Sequence, residues 1–208
     1  VLEVVAALGA GYLLGSLPFA AWIARMRGAT IFEVGSGNMG AMNTARNLGL
    51  GLGALVLLLD AAKGAAATGV GLLLARSPTA PQGTVTWLLP ALAAGLGAIL
   101  GHAFSLYTGF RGGKGLAAAF GVSLPLYPLG GLLGAGVLIV MTLALRHRSG
   151  LAAVITVAVY PALVLASQLA RGRGMAVSWA IAAGVASMAV VALVRHYQAF
   201  RRERARGR

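Results

Sequence analysis

Residues 35–49 read Gly-Ser-Gly-Asn-Met-Gly-Ala-Met-Asn-Thr-Ala-Arg-Asn-Leu-Gly, a glycine- and asparagine-rich stretch between long apolar runs. Glycines let backbone N–H groups converge on one point, and polar side chains with a lone cation, Arg46, complete the composition of an anion-binding loop. A second candidate is Gly109-Phe110-Arg111-Gly112-Gly113-Lys114-Gly115, followed by an apolar run that reads as a helix. A helix N-terminus carries partial positive charge and Lys114 adds a full one, which together suit a phosphate. The same loop also reads as a flexible turn carrying charged anchors, and taken alone it does not separate the two. It is not a Walker A loop, because the G-x4-G-K-[ST] spacing fails.

Other chemistry-bearing residues are few. His102 closes its apolar run seven residues before the second loop, and His196 follows Arg195 where the last run ends. His147, between two arginines, reads as plain loop. Asp60 and Lys63 lie inside an apolar run at i, i+3, on one helix face, and read as a paired clamp or as an intramembrane functional site. The only acidic residues are Glu3, Glu33, Asp60 and Glu203, and cysteine is absent. No carboxylate dyad, thiol nucleophile, G-x-S-x-G elbow or metal-ligand spacing is available. None of the histidines begins a His-x4-Asp dyad, since Tyr107, Ala152 and Arg201 stand at the fifth positions. An enzyme built from this set works by positioning and by stabilising anionic charge, with histidine or the substrate itself as base.

The elements that hold these groups are set by composition. Hydrophobic residues make up 59% of the 208 and charged residues 10%, against roughly 25% charged in soluble domains. Apolar runs near 2–24, 50–74, 85–106, 115–127, 129–145, 150–169 and 175–194 predict an all-α integral membrane protein of seven transmembrane helices. As one helix, 115–145 would be about 46 Å long, well beyond a hydrocarbon core of about 30 Å, and Pro125, Pro128 and Gly130-Gly131 supply a re-entry turn. The first run lacks a basic leader region and reads as a retained span, although the chain begins without methionine.

Charge placement supports seven spans with the N-terminus outside and the C-terminus cytoplasmic. Thirteen cations then fall inside: Arg25, Arg27, Arg46, Arg111, Lys114, Arg146, Arg148, Arg195, Arg201, Arg202, Arg204, Arg206 and Arg208. Three fall outside (Arg76, Arg171 and Arg173), whereas merging 115–145 into one span leaves seven inside and nine outside. The positive-inside rule prefers the first arrangement. The net charge of +13 is therefore topological and does not mark a nucleic-acid partner. One membrane domain over 1–194 and a basic cytoplasmic tail over 195–208 follow. Gly11/Gly15, Gly97/Gly101 and Gly130/Gly134 have the small-xxx-small spacing of close helix contacts.

In order along the chain stand Gly15-Ser16-Leu17-Pro18-Phe19, Gly35-Ser36-Gly37-Asn38-Met39-Gly40-Ala41, Asn43 with Arg46, and Asp60 with Lys63-Gly64. Gly101-His102, Arg111-Gly112-Gly113-Lys114-Gly115, Arg146 with Ser149, and Arg195-His196 complete the set. This series resembles the bacterial membrane acyl-phosphate:glycerol-3-phosphate acyltransferases, the PlsY family, over essentially the whole chain. The resemblance implies a multi-pass protein of the bacterial inner (plasma) membrane whose site faces the cytoplasm. It implies acyl transfer from acyl phosphate to the 1-hydroxyl of glycerol 3-phosphate, giving lysophosphatidate and phosphate, with no cofactor and no metal. By matching position, Ser36, Arg46, His102, Lys114 and His196 are the expected catalytic residues. Asn38, Asn43, Gly112, Gly113, Gly115 and Ser149 are expected to bind substrate, and membrane lipids are the other partners.

Two positions depart from the family pattern: Met42 stands where threonine is usual, and Ala199 where asparagine is usual. One lost hydrogen bond to a charged group is worth roughly 1.5–3 kcal/mol. On a helix, Gln198 points about 100° away from position 199. These departures motivate a second reading, a weak or inactive paralogue that binds phospholipid precursors. A third reading, an organic-phosphate transporter, needs polar residues along a path across the membrane, whereas the polar motifs gather on one side.

Overall fold

A computed structural model describes residues 1–75, 81–146 and 148–205. Arg76, His147, Arg206 and Arg208 lie outside the described residues. The helices, in chain order, are α1 (Leu2–Ser16), α2 (Phe19–Met26), α3 (Ala41–Leu48), α4 (Leu50–Leu74), α5 (Val85–Ala103), α6 (Leu116–Leu126), α7 (Pro128–Ala144), α8 (Ser149–Ala170) and α9 (Met175–Ala205). A 3-10 turn at Leu106–Thr108 follows α5. The all-α expectation holds. By length and composition, Leu2–Met26, Leu50–Leu74, Val85–Thr108, Ser149–Ala170 and Met175–Arg202 are five helical segments able to cross a membrane.

The stretch 115–145 forms two helices. α6 has 11 residues and α7 has 17, each shorter than the run of about 20 that spans a bilayer upright. Tyr127 (φ −147°, ψ 60°) breaks the path, and Pro128 starts α7 at the one helical position where a missing N–H costs nothing. Pro18 divides the first segment in the same way, because it cannot donate to the preceding turn.

One boundary is corrected. The apolar run ends at residue 194, but α9 continues without a break to Ala205. Residues 195–205 are not a separate tail. They carry the helix over the polar end of the bundle.

Glycines decide how closely the helices approach. A Cβ on Gly11 or Gly15 would overlap the carbonyls of Ala94 and Ala98 on α5, and one on Gly97 or Gly101 would overlap those of Leu8 and Tyr12 on α1. The contact is reciprocal, so the two backbones touch along several turns. Gly64 against Ala118, with Gly121 against Ala61, repeats the device between α4 and α6. Between α7 and α8, Gly134 lies on the ring of Tyr160 instead. Ala91, Ala98, Ala118, Val122, Val164, Ile181 and Val185 form the core between them.

Gly97→Val should lower the midpoint of thermal unfolding by about 2–10 °C, since overpacking costs roughly 1–3 kcal/mol. Gly9→Ala, on the same contact's partner helix but with open space beside it, should be neutral or stabilising. Melting of both variants in detergent measures the difference.

Candidate active site

The loop at 35–38 is shaped by one amide. Asn43, buried on α3, accepts from Ser36 N–H (3.0 Å) and Asn47 Nδ2 (3.0 Å) through Oδ1. Its Nδ2 donates to the carbonyls of Ile31 (3.3 Å), Val34 (3.1 Å) and Asn38 (3.1 Å). Both lone pairs and both hydrogens are used, so Asn43, expected to bind substrate, stands here as the post on which the loop is wound. Gly35 and Gly37, at φ +54° and +65°, make the bends that present Ser36 and Asn38 outward.

Ser36 and Asn38 form one wall of a polar cavity of about 50 Å³. Phe32, Arg111, Arg195, Gln198, Ala199 and Arg202 form the rest. Arg111 stacks on the Phe32 ring at 4.1 Å, which aims its guanidinium without using its donors. Positions 195, 198, 199 and 202 fall at i, i+3, i+4 and i+7 on α9, one face of the helix. Arg111, Arg195, Gln198 and Arg202 were not among the expected site residues. That spacing would have found the last three, had the helix been carried past the end of the apolar run.

The cavity wraps far enough around α9 for Gln198 and Ala199 both to line it. The amide next to the alanine therefore faces the site without rearrangement, with Oε1 accepting from Arg195 Nη1 at 2.9 Å. Met42 is 55% exposed and is not among the cavity's lining residues.

Arg195 also fixes the second glycine loop. Its Nε donates to the Gly113 carbonyl (3.2 Å) and its Nη2 to the Gly112 carbonyl (2.8 Å), while the ring of Phe104 lies 5.1 Å away. Gly113 N–H donates to the His102 carbonyl at 3.0 Å. Gly112 and Gly113 thus serve as packing and anchoring points, and the Gly113 N–H is not free for phosphate as expected. Gly115, at φ +85°, turns the chain into α6.

The other expected residues do not line this cavity. Arg46, exposed on α3, reaches Ser149 at the start of α8, with Nη2 and Oγ 3.4 Å apart. Lys114 is half-buried and close enough to His196 for their charges to interact. His196 is 4% exposed, and its Nδ1 lies 2.8 Å from the Ala192 carbonyl. That bond assigns the proton to Nδ1 and leaves a lone pair on Nε2, which is buried with no hydrogen-bond partner.

His102, expected to be catalytic, lies beneath the second glycine loop. It is buried, with Nε2 packed where a Cβ on Gly113 would stand and Nδ1 3.5 Å from Asp60 Oδ1. It supports the glycine loop from below and does not line the polar cavity. Asp60 and Lys63 form the expected clamp: Asp60 Oδ1 is 2.8 Å from Lys63 Nζ, and Nζ donates to the Leu17 carbonyl at 2.9 Å. Pro18 ends the regular bonding of α1 at that point, and the clamp supplies the carbonyl's missing donor.

Beside the loop an apolar groove of about 330 Å³ opens between α4, α6, α7, α8 and α9, beginning at Gly115, Leu116 and Ala192. Leu57, Leu58 and Ile139 stand on its exposed side.

A family model described as "Glycerol-3-phosphate acyltransferase" matches residues 5–206. A protein of that name from Sinorhizobium medicae is 38% identical over 194 residues, covering 92% of this chain and 84% of the relative. One from an Anaeromyxobacter species is 41% identical over 198 residues, covering 94% and 90%. The crystal structure of PlsY (YgiH), an integral membrane glycerol 3-phosphate acyltransferase, in its glycerol 3-phosphate form, superposes with a TM-score of 0.75 at 27% identity. That match covers 96% of this chain and 90% of the other. The lysophosphatidic acid form gives 0.74 at 26% over the same shares.

Removing one partner of the Asp60–Lys63 pair should cost about 3–5 kcal/mol, because a lone charge is left buried. Asp60→Asn and Lys63→Met should each lower the unfolding midpoint further than the double variant Asp60→Leu/Lys63→Met. A double-mutant cycle in detergent measures the coupling.

Proposed function

Because the chain belongs to the glycerol-3-phosphate acyltransferase family, we propose that it joins the acyl group of an acyl phosphate to the 1-hydroxyl of glycerol 3-phosphate. The observation that carries the reading is a juxtaposition. A cavity lined by three arginines and an apolar groove flank the same short loop, Gly112 to Gly115. Both substrates are phosphates, and one of them has a long apolar chain. The two spaces divide those chemistries between them.

The reaction forms an ester bond to the glycerol oxygen and breaks the bond between acyl carbon and phosphate oxygen. The hydroxyl proton leaves on inorganic phosphate. Arg46 and Lys114 are assigned to the developing negative charge on the acyl carbonyl and the departing phosphate, where preorganised cations are worth most. Ser36, Asn38, Arg111 and Arg202 hold phosphoryl oxygens through the cavity. His196 Nε2, an acceptor with no partner of its own, takes the hydrogen bond of the attacking hydroxyl, and Ser149 completes the wall beside Arg46. Transfer is direct, with no acyl-enzyme. The reading as an inactive paralogue loses its motive, since Met42 does not line the cavity and Gln198 stands beside Ala199. Transport gains none, because the polar groups of the site gather at one end of the bundle.

We also propose that α6 and α7 both cross the bilayer, tilted or in a thinned region, to make seven spans with the N-terminus outside and the C-terminus inside. The site then faces the cytoplasm from the plasma membrane. The cation distribution supports this orientation.

Two experiments test these readings. Purified protein given acyl phosphate and labelled glycerol 3-phosphate should release lysophosphatidate and phosphate in equal amounts. Arg46→Ala and Lys114→Ala should each lower kcat/KM by at least ~100-fold, and His196→Ala by ~100- to 10,000-fold. No product from a well-folded sample, or activity unmoved by the cation variants, refutes the assignment. Since the chain has no cysteine, single cysteines at Arg171 and Arg201 give a clean topology test in intact cells. An impermeant thiol reagent should label position 171 and spare 201.

A further inference from the structure

The groove has a depth that can be read from three helices independently. On α6, Leu116 stands at its mouth and Tyr127, just past the helix end, at its far limit. On α8, Ser149 begins the helix at the polar site and Tyr160 is the last residue along the chain to line the groove. On α9, His196 marks the site and Val185 is the deepest lining residue. Each leg is eleven residues. At 1.5 Å per residue, each is about 16 Å, the length of an extended alkyl chain of roughly 13 carbons.

Two aromatic rings stand at that depth. Tyr127 is 2% exposed, packed where α6 hands over to α7. The Tyr160 ring crosses onto α7 through Gly134, at a point where any Cβ would overlap it. A ring held by a glycine notch cannot swing aside as a leucine can. Resting on the acyl-phosphate reading above, we infer that Tyr127 and Tyr160 form the floor of the acyl groove and set the longest chain it holds extended. Longer chains turn out past Leu57, Leu58 and Ile139 into the surrounding lipid. This makes Tyr160 a specificity-determining residue, remote from the reacting atoms.

The test is a chain-length profile with saturated acyl phosphates from C10 to C18, read as kcat/KM, for the native protein and three variants. The native profile should peak near C12–C14. Tyr160→Ala should move the peak at least two carbons longer and raise the C18-to-C12 ratio at least about fivefold, the lower end of what a packing clash costs. Tyr160→Phe should leave the peak where it is. Ala189→Phe, seven residues from His196 on the groove wall, should move the peak to shorter chains. Profiles of unchanged shape in both Tyr160→Ala and Ala189→Phe overturn the inference, as does a native peak at C18. If Tyr160→Ala does not fold, Ala189→Phe decides. Thermal stabilisation by lysophosphatidates of the same lengths is measured in parallel. If no acyl phosphate is turned over, the donor assignment fails, and the floor is judged by that second profile: a peak near C12–C14 supports it and a flat response overturns it.

Discussion

A carbonyl or N–H left without a partner in apolar surroundings costs several kcal/mol, and the whole polar end of this bundle is organised around that constraint. Function requires irregular backbone there: a proline break in the first segment, a loop at 35–38 and a glycine turn before α6. Each is satisfied by one dedicated side chain. Lys63 serves the Leu17 carbonyl, Asn43 serves three carbonyls and an N–H of the first loop, and Arg195 serves Gly112 and Gly113. Several of the most polar residues in the chain are therefore spent on holding backbone.

This explains which parts of the site were legible in the sequence. Residue types and order pointed to phosphate chemistry, and apolar runs located the long apolar helices to within a few residues, apart from the far end of α9. What the sequence could not separate was a polar residue that touches substrate from one that fixes the loop beside it. Asn43 and His102 have the composition of ligands and the geometry of supports. Both stand in the same motifs as Ser36 and Lys114, and only burial and hydrogen-bond partners tell them apart. Arg195 and Arg202 were missed for a different reason. Hydropathy ends a membrane helix where charges begin, whereas backbone hydrogen bonding carries α9 for another eleven residues through its arginines to Ala205.

The glycines divide along the same line. Gly11, Gly15, Gly64, Gly97, Gly101 and Gly121 have no side chain because a neighbouring backbone occupies the space, and the small-xxx-small spacing of Gly11/Gly15 and Gly97/Gly101 announced that role. Gly35, Gly37 and Gly115 are needed for left-handed turns, which no periodicity reveals. Gly112 and Gly113 belong with the crowded set, pressed by His102 and Ala103, while their carbonyls accept from Arg195. A substituent at either would push the Lys114 loop off its support.

α9 is one uninterrupted rod that carries the groove wall at Val185 and Ala189, the acceptor histidine at 196 and three cavity residues beyond it. Its hydrogen bonds to Gly112 and Gly113 fasten that rod to the loop bearing Lys114. On the proposed reading, the place where an acyl tail ends and the place where a phosphate sits are thus graduations on a single ruler. Their separation is set by helical rise and not by loop closure, so the two substrates are brought into register by a rigid length that neither of them has to organise.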